Sequence, residues 1–431
     1  MSIAPASARP ARTTTSDAQA SQSGPSGWPL MLAAAAILMV TFGVRQSIGL
    51  YISPLNTATG LGIANISLAL AIGQFIWGAS QPLFGALADR HGPTPVIVGG
   101  GLLLAAGTAS APFVRSEAGI IITLGLLMAA GAGAGSFSIL IGATARSLAP
   151  ERRAFAAGFI NAGGSFGQFV FAPLNQALIG LLGWVNAMIA MAAISLSTLP
   201  LARLLSAPAQ SADPVSAAAA APEESSLGLR AQLAVASRDP SYWCLHAGFF
   251  TCGFHIAFLV THLPTEVSLC GLTSGVAALS LGIIGLANIA GSLSAGALGS
   301  RFRMKWVLFW VYFSRAVSIG IYLIAPKTAL TFYVFAAALG FSWLSTVPPT
   351  AGLVAKLFGT RHLATLFGLT LLSHQIGGFF GAWLGGIALT RFGDYSWMWY
   401  ADIMLALGAA IVNLPIRETG VRAQGIGEQP A

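Results

Sequence analysis

Apolar runs, each about long enough to cross a bilayer and each closed by a short polar or glycine-bearing connection, fill the chain between residues 29 and 415. Runs of roughly 20 residues predict helices, because a hydrocarbon layer offers no water to satisfy an open backbone. Twelve spans can be placed, at about 29–54, 64–87, 95–113, 118–146, 152–178, 184–204, 241–263, 273–298, 304–325, 329–356, 362–389 and 395–415. One connection differs from the rest: Ser206 to about Pro240 is long and polar, and it falls between the sixth and seventh spans. Met1 to Gly27 is rich in Ser, Ala, Thr and Pro, lacks an apolar core ahead of a cleavage site, and reads as a disordered tail. The predicted units are therefore a tail (1–27), a six-helix bundle (28–205), a linker (206–240), a second six-helix bundle (241–418) and a tail (419–431).

The two halves repeat one another at a nearly constant spacing. Gly43, Arg45 and Pro54 return as Gly253, His255 and Pro264, and Gly158 and Gly167 return as Gly368 and Gly377. Gly85-Ala86-Leu87-Ala88-Asp89-Arg90 returns as Gly296-Ala297-Leu298-Gly299-Ser300-Arg301. Parallel repeats of this kind place two bundles about an axis along the membrane normal and leave a cavity between them.

Composition narrows the class and charge gives the orientation. With 8% charged residues, 55% hydrophobic residues and 51 glycines, the chain lies outside the range of soluble proteins. Nearly all of its 13 acids fall between the spans. Lys and Arg crowd the tails and the even-numbered connections, while the opposite loops hold only Arg115, Lys327 and Arg391, so both termini and the linker are expected in the cytoplasm. Cys244, Cys252 and Cys270 have no CxxC spacing and read as small apolar packers.

Gly85-x-Leu87-x-Asp89-Arg90-x-Gly92, after the second span, resembles the signature of the major facilitator superfamily, and its degenerate copy follows the eighth span where that superfamily repeats it. The resemblance implies the major facilitator fold, with Gly85, Asp89, Arg90 and Arg301 in gating contacts at the helix ends. Pro93-Thr94 and Ser300 depart from the pattern, which predicts a weaker second gate. Leu127 stands before Gly131 where the drug exporters of the superfamily carry an arginine. Gly43-Val44-Arg45-Gln46-Ser47-Ile48-Gly49-Leu50, Gly248 to His255, and Ser373-His374-Gln375-Ile376-Gly377 look like bacterial porters near the oxalate/formate and monocarboxylate groups. That likeness covers about residues 29–418 and implies a multi-pass protein of the bacterial inner membrane. It breaks at Ala287-Asn288-Ile289-Ala290-Gly291, where the monocarboxylate porters carry an Asp and an Arg.

Mid-membrane polar residues then carry the chemistry. Arg45 lies deep in the first span, and a guanidinium that cannot shed its proton needs a wet cavity, a partner or an anion there. His255 and His374 lie near the middle of the seventh and eleventh spans and are candidates to converge with Arg45 on one anion, with a titration range suited to a proton relay. His246 and His262 lie nearer the span ends. Gln46, Tyr51, Gln74, Asn161, Gln168 and Gln375 offer hydrogen bonds to a carboxylate, and Phe137, Phe254 and Trp343 offer apolar contact; helix packing is the competing role for all of them. Arg315 in the ninth span is a second buried cation, with Asp402 in the twelfth as its expected partner and Asn288 or water as the alternatives. Pro348-Pro349 predicts a bend in the tenth helix.

Together these residues predict an all-α membrane protein of twelve transmembrane helices in two pseudo-symmetric six-helix bundles. Its expected work is secondary active transport of a small organic anion, a carboxylate, by alternating access. A larger neutral or amphipathic cargo, such as a drug or vitamin, is the alternative within transport. An enzyme needs a nucleophile with its base, paired acids or a metal cluster, and scattered histidines supply none, so no catalytic residue, metal ligand or cofactor is assigned. A sensor would carry a sizeable soluble output domain, which these tails are too short and polar to form. The expected partners are a small-molecule substrate, membrane lipid and a coupled proton or counter-substrate; no nucleic acid partner is expected, and the protein is expected to act as a monomer.

Overall fold

The computed structural model describes residues 27–145, 148, 150–205, 228–359 and 362–418, with the side chains of 89, 145, 150–155, 157, 363 and 364 set aside. Residues 1–26 and 419–431 and the first part of the linker lie outside the described residues. Among the described residues twelve helices cross the molecule: α1 (Trp28–Thr59), α2 (Ile63–His91), α3 (Pro93–Ser110), α4 (Glu117–Thr144), α5 (150–182), α6 (184–204), α7 (Pro240–Leu269), α8 (Ser274–Arg301), α9 (Met304–Ile324), α10 (Ala329–Phe358), α11 (Leu363–Phe392) and α12 (Ser396–Asn413). Among the described residues nine segments are long and apolar enough to cross a membrane by length and composition. One of them, Gly158–Leu204, is two helices, because Gly183 holds φ at 79° and turns the chain where only glycine is unstrained. With α11 and α12 the count is twelve.

Helix starts follow local chemistry. Asp239 caps α7 by accepting from Ser241 N at 2.7 Å, with Pro240 in the first turn, and Ser116 and Thr328 cap α4 and α10 in the same way. Three helices are irregular, α1 and α4 where the sequence gives no sign of it and α10 next to the prolines that predict a bend. The regular part of α1 stops at Gln46 and continues through a 3-10 turn, Ile48–Tyr51; α4 carries a π-helical stretch, Ile121–Met128; and α10 breaks between Ser342 and Val347, just ahead of the two prolines. The end of the linker forms a short helix, Leu229–Arg238, pinned where Gln232 Nε2 donates to Phe358 O at 3.0 Å.

Within the bundles α1 packs along α5 and α7 along α11; across them α2 packs on α11 and α5 on α8. These pairs exchange under the sequence repeat, as a pseudo-twofold axis requires. The end of the molecule where α6 stops and α7 begins is the linker face, and the end carrying Glu117 and Asp394 is the far face. Toward the far face the bundles touch closely. A Cβ added at Gly49 of α1 would lie 2.3 Å from Val260 O of α7, one at Gly386 of α11 would lie 2.5 Å from Ser67 of α2, and one at Gly285 of α8 would lie 2.7 Å from Ser165 O of α5. Near the midplane Gly78 of α2 meets Gln375 of α11, and Gly378 of α11 meets Gln74 of α2.

Toward the linker face the same helix faces separate. Gly85, Gly158 and Gly368 lie about two helical turns from Gly78, Ser165 and Gln375, and so on the same faces of α2, α5 and α11. A Cβ at any of these three would meet nothing within 4 Å. Leu83 on α2 and Leu293 on α8 are 73% and 66% exposed. The bundles are closed from midplane to far face and parted toward the linker face.

Candidate functional site

Arg45 owes its position to the way α1 ends. Ser47 Oγ donates to Gly43 O at 2.9 Å and accepts from Asn175 Nδ2 of α5 at 2.6 Å, while Tyr51 donates to Asn175 Oδ1, and this knot holds the chain out of regular helix beyond Gln46. The regular helix therefore stops at mid-membrane with Arg45 in its last turn, where the negative end of the helix dipole favours a cation. Arg45 is 8% exposed. Its Nη1 donates to Gln46 Oε1 at 2.9 Å, its Nη2 donates to Gln74 Oε1 of α2, and its guanidinium lies 4.2 Å above the ring of Trp77.

All three neighbours are neutral. Among the described residues the ion pairs are His255–Asp402 and Lys356–Glu418, so Arg45 faces no carboxylate. Beside it is a cavity of about 30 Å³ whose wall combines Gln46, Gln74 and Met128 of the first bundle with Ala257 and Thr261 of α7. That volume suits about two waters, and hence the two oxygens of one carboxylate. From Gln74 the network crosses the molecule, because Gln74 Nε2 donates to Gln375 Oε1 of α11 at 3.1 Å. Arg45, Gln46, Gln74 and Gln375 thus form one hydrogen-bonded line through the bundle junction.

His255 does not join that line. It is fully buried inside the second bundle, its Nδ1 2.5 Å from Asp402 Oδ2 of α12 and its ring 5.8 Å from that of Trp343, which is itself fully buried. The repeat aligns His255 with Arg45, yet α7 presents this position to α10 and α12 instead of the junction. The expected Arg315–Asp402 pair is also replaced. Arg315 Nη2 donates to Ser342 O at 2.7 Å and Trp343 O at 3.2 Å, the carbonyls that the break in α10 leaves free, and the histidine takes the aspartate.

The other candidates are distributed around the junction. His374 is 7% exposed on α11 next to Gln375, its ring 6.0 Å from Phe249. Gln168 is buried on α5 against Gly285 of α8, with neither amide atom hydrogen-bonded to protein, and Asn161 is half-buried nearer the linker face. Tyr51 serves the Asn175 knot. His246 is bonded to Ser373 at 2.6 Å on the flank of the second bundle, and His262 is held by Tyr395 at 3.0 Å and Ala382 O at 2.7 Å. Phe137 is 37% exposed on α4 and Phe254 is buried. Of the gating residues, Gly85 faces open space and Arg90 and Arg301 are exposed at the linker face, while the side chain of Asp89 lies outside the described residues. Sequence reasoning missed Trp77 and Asn175. The spacing of Gln74 and Trp77, three residues apart on one helix, was the signal that both reach the same neighbour.

Comparison with known proteins extends this picture. The pattern of the Major Facilitator Superfamily matches residues 32–382. Monocarboxylate transporter 13 of Rattus norvegicus is 26% identical over 398 residues, covering 90% of this chain and 89% of the relative. The Oxalate:formate antiporter of Oxalobacter formigenes is 25% identical over 378 residues, covering 85% of this chain and 86% of the relative. Among solved structures a D-xylose-proton symporter superposes with a TM-score of 0.71 at 14% identity, over 91% of this chain and 98% of that one.

Proposed function

This chain belongs to the Major Facilitator Superfamily and is a membrane transporter, and we propose that its cargo is a small organic anion bearing a carboxylate, moved by alternating access. One observation carries the reading: a permanently charged guanidinium, buried at the bundle junction, has only neutral partners and borders a cavity of carboxylate size. Neutral partners hold the cation in the ligand-free protein but leave its charge unneutralised, and an anionic cargo supplies the missing opposite charge. The named cargoes of the two relatives, monocarboxylates and oxalate with formate, favour the same chemistry.

The substrate enters from the parted side, displaces water at Arg45 and takes N–H donors that the two glutamines leave over. Gln74 is shared between Arg45 and Gln375, so an anion that draws Arg45 away from Gln74 also acts on the tie between bundles. Rocking about the midplane then opens the far face and closes the linker face, bringing together the helix ends that carry Gly85, Asp89, Arg90 and Arg301. The crowding of Lys and Arg on the linker face makes that face cytoplasmic, in a plasma membrane, with both termini on the same side. Coupling to a proton or to a counter-substrate supplies the driving force, and the monomer is the working unit. A thermal-shift screen of the purified protein against monocarboxylates, dicarboxylates, aromatic acids and vitamins tests the proposal. Stabilisation by carboxylates that is absent in Arg45→Gln supports it, and stabilisation confined to neutral amphipathic compounds refutes it.

A further inference from the structure

Behind the anion site, inside the second bundle, is a second set of buried charges that the reading above leaves without work. His255, Asp402 and Arg315 are each fully buried, on α7, α12 and α9. Asp402 Oδ2 and His255 Nδ1 are 2.5 Å apart and hydrogen-bonded, while the outer atoms of the pair, Asp402 Oδ1 and His255 Nε2, have no hydrogen-bond partner among the described residues. Arg315 uses only Nη2, leaving Nε and Nη1 free. A structural ion pair sealed in a bundle is expected to engage all its polar atoms, since each buried orphan is destabilising. Here both atoms that would receive a further proton are the orphans.

We propose that the His255–Asp402 pair is a proton-binding site, held close to neutral by Arg315 and coupled through α11 to the anion site at Arg45. The proposal rests on the carboxylate reading for what the proton accompanies, but not for the site itself. With Asp402 ionised and His255 neutral, the pair and Arg315 together carry no net charge. One proton from the aqueous side, forming an N–H bond at Nε2 or an O–H bond at Oδ1, leaves the cluster with one positive charge, and its release to the opposite side restores the first state. No hydrogen bond breaks in either direction. A cationic cluster attracts an anion at the junction and the anion stabilises the added proton, so each raises the affinity of the other.

Among the described residues the charged group acting on the pair is Arg315 of α9. Cys252 of α7 and Tyr312 of α9 lie beside Arg315 and beside one another, His374 of α11 lies beside Cys252, and α10 contributes Trp343 and Thr346. Cys252 lies beside both Thr346 and His374, and His374 is the chain neighbour of Gln375, which ends the line from Arg45. The backbone of α11 is thus what the two sites share.

The test uses full-length wild type, Asp402→Asn and His255→Gln in liposomes, with radiolabelled pyruvate and oxalate as probes. Two modes are compared: exchange against the same unlabelled anion at equal pH, and uptake driven by an acid-outside gradient. The expected result is a severalfold gradient-driven rise in wild type that both variants lose while exchange continues. A rise that survives in either folded variant overturns the proposal. Infrared difference spectra between acid and neutral pH, taken on the same proteins without substrate, form the second arm. A carboxyl or imidazolium band removed by both substitutions supports the site even if neither probe is carried, an outcome that would sink only the choice of cargo. A spectrum unchanged by both substitutions overturns the proton site whatever the cargo. Should Asp402→Asn fail to fold, His255→Gln decides both arms.

Discussion

Arg45→Gln removes the charge that the site is built around, and the structure separates its effect on binding from its effect on folding. In the ligand-free protein Arg45 is held by two neutral amides, a tryptophan face and the end of a helix, with no acid to be left unpaired when the cation goes. Burial of the cation costs about 2.5–3.5 kcal/mol. The helix terminus returns about 0.3–2 kcal/mol and the Trp77 contact about 0.5–2 kcal/mol, so cost and return nearly cancel. The ligand-free melting temperature of Arg45→Gln is therefore expected within a few degrees of wild type. Binding responds differently. A charge-assisted contact to the cargo is worth about 1.5–3 kcal/mol, or about one to two decades in Kd, all of it lost with Gln and part with Lys, which keeps the charge without the fork. Isothermal titration of detergent-purified protein with the best carboxylate from the screen should rank affinity as Arg, Lys, Gln. Intact affinity in well-folded Arg45→Gln would show that Arg45 does not hold the cargo. So would collapse of folding in both variants with affinity preserved in the survivors, the mark of a structural cation.

Two further perturbations test the conformational account. Gly378 already brings Gln74 within 2.7 Å of any added Cβ, so Gly378→Leu should wedge the bundles apart at the midplane and shift the protein toward the far-face-open state. Spin labels at Thr57 and Thr273, both exposed at the far face, should then report a longer distance, and an unchanged distribution would show that the contact does not set the state. Cysteines placed in 206–240 should react with impermeant reagents only from the cytoplasmic side and those at Glu117 or Ser268 only from outside; the reverse pattern would invert the orientation.

Much of the fold was legible because a membrane span announces itself by length and polarity, and Gly85 to Gly92 with its copy marks the repeat without any knowledge of packing. The breaks were harder to see. Ser47 looks like any small helical residue until Asn175, far along the chain, binds it, so the stop of regular helix at Gln46 depends on a contact that no local pattern encodes. Helix faces account for the rest. Equivalence under the repeat put His255 with Arg45, but depth in a span says nothing about direction, and α7 turns the histidine toward Asp402. Depth also suggested Arg315 for Asp402, whereas the carbonyls freed at Ser342 and Trp343 by the α10 break claim the arginine. Arg45 and Gln375 were legible because strongly polar groups in mid-span have few bland roles. Trp77 was not, since a tryptophan on an apolar helix has many.

The central claim, that the junction binds a carboxylate through Arg45, is tested most directly by isosteric pairs. Binding of lactate, pyruvate and oxalate to the wild-type protein is compared with binding of lactamide, pyruvamide and oxamide, which keep the shape but lack the charge and exchange one acceptor oxygen of each carboxylate for an amide donor. Saturable binding by at least one acid is expected, with its amide partner weaker by one to two decades, as about 1.5–3 kcal/mol requires. Amides that bind as tightly as their acids would contradict it, as would binding by none of the acids.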